Sequence, residues 1–82
     1  MIDESLHLIY IIECSNNKYY VGKTFRDPIE RLNEHINGNS CSWTNINKPI
    51  KIIDIIKSNS NFTEDNITKK YMIKYGIENV RG

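Results

Sequence analysis

Two apolar runs separated by three turn-forming residues constrain this chain more than any other feature. Residues 7–14 (HLIYIIEC) and 18–24 (KYYVGKT) are β-branched and aromatic, and Ser15-Asn16-Asn17 between them allow only a hairpin connection. The turn length then decides which side chains share a face. A two-residue turn at Asn16-Asn17 places Tyr10 opposite Lys23 and sends Tyr20 to the other face. A three-residue loop, Ser15 to Asn17, places Tyr10 opposite Gly22 and diagonal to Tyr20 on the same face. In both registers Tyr19 and Tyr20 leave the strand on opposite sides.

After the hairpin comes a helix with a clear start signal. Asp27 suits the N-cap, Pro28 the first helical position and Glu30 the capping-box acid. Ile29, Leu32 and Ile36 follow at helical spacing and are expected to form the buried stripe, with Gly38 as the stop. Residues 39–48 are polar around Trp43 and read as an irregular loop or a short helix. Pro49 opens an apolar run from Ile50 to Lys57, whose isoleucine pairs suit a buried, central third strand. Ser58 to Asn61 are turn formers. A second long helix is expected from Thr63, its cap, to Tyr75, with Gly76 as terminator, and Ile77 to Arg81 can add a short last strand. The expected order is ββαβα: an α+β fold with a small, mostly antiparallel sheet of three to four strands flanked by helices.

With 82 residues, the chain is read as one domain over 1–82, possible as a piece of a longer protein. The longest apolar run, Leu8 to Ile12, is too short to cross a membrane, and the opening Met1-Ile2-Asp3-Glu4 is acidic where a secretory leader is basic. An intracellular setting is expected, with Cys14 and Cys41 as free thiols. The formal net charge of +1 is small for a protein that grips nucleic acid unaided. It is compatible with a catalytic module whose affinity comes from a partner protein or a separate recognition domain.

The ordered set Leu8-Ile9-Tyr10, Tyr20-Val21-Gly22, Arg31, His35, Glu64 and Asn79 resembles the GIY-YIG nuclease superfamily. The string from Tyr20 to His35 is most similar to viral and mobile-element members of the homing-endonuclease type. Leu8 stands where the family pattern has a glycine, which removes no reactive group. The resemblance implies an endonuclease that hydrolyses DNA phosphodiester bonds with one Mg²⁺ (or Mn²⁺) ion and leaves a 5′-phosphate. It implies catalytic roles for Tyr10, Tyr20, Arg31, His35, Glu64 and Asn79, and Glu64 as the metal ligand. For the two phenols to meet, the hairpin needs an odd-length loop or a bulge, with Gly22 leaving space for a tyrosine ring.

Each residue type suits that chemistry. Phosphodiester hydrolysis needs a deprotonated water, charge stabilisation at the phosphoryl oxygens and help for the leaving oxygen. A free phenol titrates near pH ~10, so it serves as a base only when tuned. Lys23, close behind Tyr20, is expected to favour its phenolate, making Tyr20 the candidate base and Tyr10 an orienting group. Arg31 presents a fork that matches phosphate oxygens; Arg26, ahead of the helix, is the weaker candidate. His35, one turn on, can donate to phosphate or carry a proton. Mg²⁺ keeps most of its waters, so Glu64 alone can hold it, with Asp65 the runner-up. Asn79 is expected to fix the Glu64 region or the phosphate.

Other features have simpler readings. Trp43 and Tyr71 are expected to fill the core or an interface, Phe25 and Tyr75 have no assigned role, and Lys69, Lys70 and Lys74 form a solvated face that can touch a DNA backbone. Two competing functions stay in view. One is a non-cleaving nucleic-acid-binding module that keeps the fold. The other is an interaction domain, which requires that Tyr10, Tyr20, Arg31 and Glu64 not share a surface.

Overall fold

The computed structural model describes residues 7–38, 40–59 and 62–82. Its backbone is a four-stranded sheet in the order β3-β1-β2-β4. The hairpin strands are β1 (Leu8–Cys14) and β2 (Lys18–Thr24). Ser15–Asn17 form one tight turn, in which Asn16 and Asn17 take left-handed φ values of 62° and 59°. Asparagine tolerates that region better than most residues, so the two consecutive asparagines let a three-residue loop close. The Ser15 amide donates to the Lys48 carbonyl at 2.8 Å, tying this turn to the start of β3.

The register is that of the three-residue loop: Tyr10 opposes Gly22, Ile12 opposes Tyr20 and Ile9 opposes Lys23. Side chains alternate from there. Ile9, Ile11 and Val21 face one side and pack with Ile67, Val80 and the partly buried Tyr19, Tyr71 and Met72. Tyr10, Ile12 and Cys14 face the other and pack with Tyr20, Leu32 and Ile52. A helix covers each side: α3 (Glu64–Tyr75) the first, α1 (Pro28–Ile36) the second.

The α1 helix starts as its sequence suggests. The Asp27 carboxylate accepts from the Ile29 amide at 3.0 Å, and Pro28 sits in the first turn. Its buried face differs from the expected stripe. Ile29 and Ile36 are exposed, while Pro28, Leu32 and His35 turn inward. Successive residues rotate by about 100° around a helix, so turning His35 inward swings Ile36 out. Hydrogen bonding by polar residues, not isoleucine burial, sets the rotation of this helix.

A second correction concerns β3 (Pro49–Lys57), which is an edge strand with β1 in the centre. Its pairing with β1 slips twice, leaving Ile53 and Ile50 outside the ladder. These bulges break the alternation. Ile52 and Ile56 reach the two cores, while Ile50, Ile53 and Ile55 stay exposed.

The sheet is mixed. Val80–Arg81 form β4, which runs parallel to β2 beside Tyr19 and Tyr20. The segment around Trp43 contains a short helix, α2 (Ser42–Ile46), so three helices flank the sheet. Asn39, and Ser60 and Asn61 of the expected turn, lie outside the described residues. Thr63 caps α3 reciprocally with Asn66, at 3.2 and 2.9 Å, and Gly76 ends it at φ 102°. Among the described residues no helix is long and apolar enough to cross a membrane.

Gly22 is where the fold and the site touch most closely. A Cβ built there would lie inside the Tyr10 ring, 2.7 Å from Cε2 and nearer still to Cζ and the hydroxyl. Gly22→Ala is therefore expected to destabilise the protein by roughly 1–3 kcal/mol, the usual range for overpacking. Urea denaturation of the two proteins measures this, and an unchanged midpoint would show that the ring moves aside freely.

Candidate active site

The α1 side of the sheet carries a buried polar chain. Tyr10 is 1% exposed, and its hydroxyl lies 3.2 Å from Nε2 of His35, itself 1% exposed. The hydroxyl also accepts from Arg31 Nε at 3.4 Å. His35 Nδ1 lies 2.8 Å from Thr44 Oγ1. Ser40 Oγ bridges the edge of this group, 3.3 Å from His35 Nε2 and 3.4 Å from Arg31 Nη2. The Tyr20 ring completes the wall, with its centroid 4.8 Å from that of His35 and 6.4 Å from that of Tyr10.

Burial dominates the electrostatics. It raises the Tyr10 pKa against the opposing hydrogen bond and charge of Arg31. It raises Tyr20 further. It lowers His35 to about 4, with the Arg31 charge acting in the same direction. At neutral pH the group is therefore phenol, phenol and neutral imidazole beside one guanidinium. The expected tuning of Tyr20 by Lys23 does not occur. Lys23 opposes Ile9, so alternation sends it to the α3 side, and the charge that counters the rise in the Tyr20 pKa is that of Arg31.

Glu64 begins α3 and lines a pocket of about 350 Å³ with Lys23, Thr63, Asp65, Thr68 and Gly82. This pocket lies beside the part of β2 that β4 does not cover, since β4 pairs only with Tyr19 and Tyr20. The Glu64 charge reaches the phenols, raising the pKa of both Tyr10 and Tyr20. Its carboxylate makes no hydrogen bond or ion pair among the described residues. Asp65 is paired with Lys69 at 3.2 Å. No cluster of three or more His, Cys, Asp or Glu that could hold a metal occurs among the described residues. A carboxylate without a protein partner, in an open polar pocket, still suits a hard cation that keeps its waters.

Arg31 is engaged on two sides. Besides Tyr10 it pairs with Glu34, which also takes a two-pronged bond from Arg26 at 2.9 and 3.0 Å. Asn79 stands apart from the rest. Its Oδ1 accepts from Lys18 Nζ at 2.6 Å and its Nδ2 donates to the Tyr75 carbonyl at 2.8 Å, capping the far end of α3. That end lies about 17 Å along the helix axis from Glu64, so Asn79 cannot hold the Glu64 region in place. Ser40 and Thr44 were not legible as site residues: both are short hydroxyls in a polar stretch, and only the fold carries them to His35.

Residues 6–75 match the family model described as the GIY-YIG catalytic domain. The chain belongs to the GIY-YIG family. A UPF0213 protein of Listeria monocytogenes serotype 4b is 40% identical over 57 residues, covering 70% of this chain and 63% of that protein. A UPF0213 protein of Cupriavidus necator is 32% identical over 53 residues, covering 65% of this chain and 56% of that protein. The chain thus spans less than two thirds of the length of these curated relatives, whose names state no activity. No solved structure matches it. Of the residues that carry the resemblance, β1 and β2 hold Tyr10 and Tyr20, α1 holds Arg31 and His35, and α3 holds Glu64.

The buried imidazole makes a pH-dependent contribution to stability. His35 titrates near 6.5 in the unfolded chain and near 4 in the fold, so between these values the unfolded state binds more protons. The stabilising contribution is complete above pH ~6.5 and is lost as pH falls through about 4; it amounts to about 3 kcal/mol. Urea unfolding at pH 7.5 and pH 4.5 should show a larger loss for wild type than for His35→Gln. Equal losses would mean that His35 is readily protonated in the fold.

Proposed function

We propose that this chain is a metal-dependent endonuclease that hydrolyses DNA phosphodiester bonds, with Tyr10 as the group that meets the attacking water. One observation carries the reading. The Tyr10 phenol is held between a guanidinium that donates to it and a neutral imidazole 3.2 Å away. A phenol in that position need not ionise beforehand. It takes the water's proton as it passes its own to His35 Nε2, and the Arg31 charge steadies the oxygen throughout. The water oxygen bonds to phosphorus, the bond to the 3′-oxygen breaks, and that oxygen takes a proton from solvent water to become the hydroxyl end of the cut strand.

The two tyrosines thus exchange the roles expected from sequence. Among the described residues no hydrogen bond joins the Tyr20 hydroxyl to a base, and burial holds it protonated. It walls the site and orients water or phosphate. Arg31 turns its remaining donors to the phosphoryl oxygens, exchanging Glu34 for the substrate. Lys23, on the α3 side of the sheet, would add positive charge to the Glu64 pocket rather than at Tyr10. GIY-YIG nucleases generally use a divalent metal. Here Glu64, with Asp65 beside it, would hold the ion, which supplies Lewis-acid stabilisation of the leaving oxygen. DNA affinity is supplied largely by a recognition domain or partner, since the chain's net charge is only +1.

Nicking of supercoiled DNA tests this. Cleavage in Mg²⁺ or Mn²⁺ should stop on chelation and be lost in Glu64→Ala. Tyr10→Phe should fall by roughly 10²- to 10⁴-fold, the usual worth of a positioned proton-transfer group. Cutting that survives both chelation and Glu64→Ala would overturn the metal-dependent reading. DNA binding without any cutting would favour a non-cleaving module.

A further inference from the structure

We infer that Thr44, from the short helix α2, is a positioning residue that fixes the proton on Nδ1 of His35 and so leaves Nε2 free to take the Tyr10 proton. This rests on the nuclease reading for its catalytic meaning, though not for its chemistry. Thr44 is fully buried. Its Oγ1 has three polar neighbours: His35 Nδ1 at 2.8 Å, the Cys41 carbonyl at 3.3 Å and Cys41 Sγ at 3.4 Å.

Two proton arrangements are conceivable, and hydrogen-bond accounting separates them. In the first, Arg31 Nε–H donates to Tyr10 O, Tyr10 O–H to His35 Nε2, His35 Nδ1–H to Thr44 Oγ1, and Thr44 O–H to the Cys41 carbonyl. Every hydrogen in the chain then has an acceptor. In the second, Thr44 donates to Nδ1, and the Nε2 hydrogen goes to Tyr10 or to Ser40 Oγ, 3.3 Å away. Arginine is donor-only and a protonated Nε2 cannot accept, so in either case neither neighbour of the Tyr10 hydroxyl can take its hydrogen. That buried O–H is left without an acceptor among the described residues. An unsatisfied buried donor costs on the order of 1–3 kcal/mol, so the first arrangement is preferred.

Local structure makes Thr44 suited to this task. Its β-branch stiffens χ1, which limits where the hydroxyl can go. The helix that bears it is anchored independently of His35. Trp43 Nε1 donates to the Tyr19 carbonyl of β2 at 3.0 Å, and the Asn47 amide donates to the Trp43 carbonyl at 2.9 Å. The imidazole is thus held by a hydroxyl whose own support comes from the strand that carries Tyr20.

Nitrogen-15 NMR of the imidazole at pH 7.5 reads the tautomer directly, with the His35 signals assigned by their loss in His35→Gln. The wild type should show a protonated Nδ1 and a bare Nε2. Thr44→Ser should keep that pattern and a nicking rate within about threefold. Thr44→Val should move population to the Nε2–H form and lower the nicking rate by roughly 10- to 100-fold, the usual effect of losing a group that orients a functional histidine. A wild-type protein carrying its proton on Nε2 overturns the inference. So does a folded Thr44→Val with the wild-type tautomer and full rate. If Thr44→Val does not fold, the wild-type and Thr44→Ser spectra decide alone. The spectra are readable even if no variant cuts DNA, so failure of the nuclease reading and failure of this inference are distinct results.

Discussion

The contact of the Tyr10 ring with the bare backbone of Gly22 is the constraint from which the rest of the structure follows. It requires the three-residue loop, because a loop one residue shorter would set Tyr10 against a lysine. It buries Tyr10 on the α1 side, where a phenol needs hydrogen-bond partners. Arg31 and His35 supply them, and α1 turns those two groups inward at the expense of its isoleucines. The imidazole in turn requires Thr44, and hence α2. A steric accommodation at one glycine thus propagates through a chain of polar demands.

Much of this was legible from sequence, for specific reasons. The hairpin and its two candidate registers followed from turn length, and the caps at Asp27 and Thr63 from side-chain chemistry. The facing of α1 and the place of β3 were not legible. Periodicity rules assume that apolar residues choose the buried face, and in α1 the choice belongs to His35 and its partners. In β3 two bulges scramble the alternation that would have marked it as an edge. Of the site, Tyr10, Tyr20, Arg31 and His35 could be nominated because their order and spacing resemble the GIY-YIG pattern, whereas the arginine and the histidine taken singly read as surface residues of a helix. Thr44 and Ser40 could not, because short hydroxyls in a polar segment look the same whether buried or solvated. Asn79 could be nominated but not placed, since the full length of α3 separates it from Glu64.

The resting site is held in its neutral forms. Burial lifts both phenols and depresses the imidazole, so Tyr10 and His35 sit far from the protonation states they would need if each ionised alone. For the proposed reaction, such an arrangement favours concerted transfer over a pre-formed phenolate. In the proposed reaction Arg31 lies against the Tyr10 oxygen, where negative charge would develop during transfer.

The carboxylate of Glu34 is clasped by Arg26 and Arg31, so on the proposed reading the protein carries its own counter-anion where a phosphate would sit. Substrate engagement is then an exchange of one anion for another rather than the capture of a bare cation. Fewer small ions are set free in such a swap than at an unpaired arginine. Affinity at this locus therefore varies less with ionic strength than a count of guanidiniums suggests, and discrimination falls to whichever anion fits both forks at once.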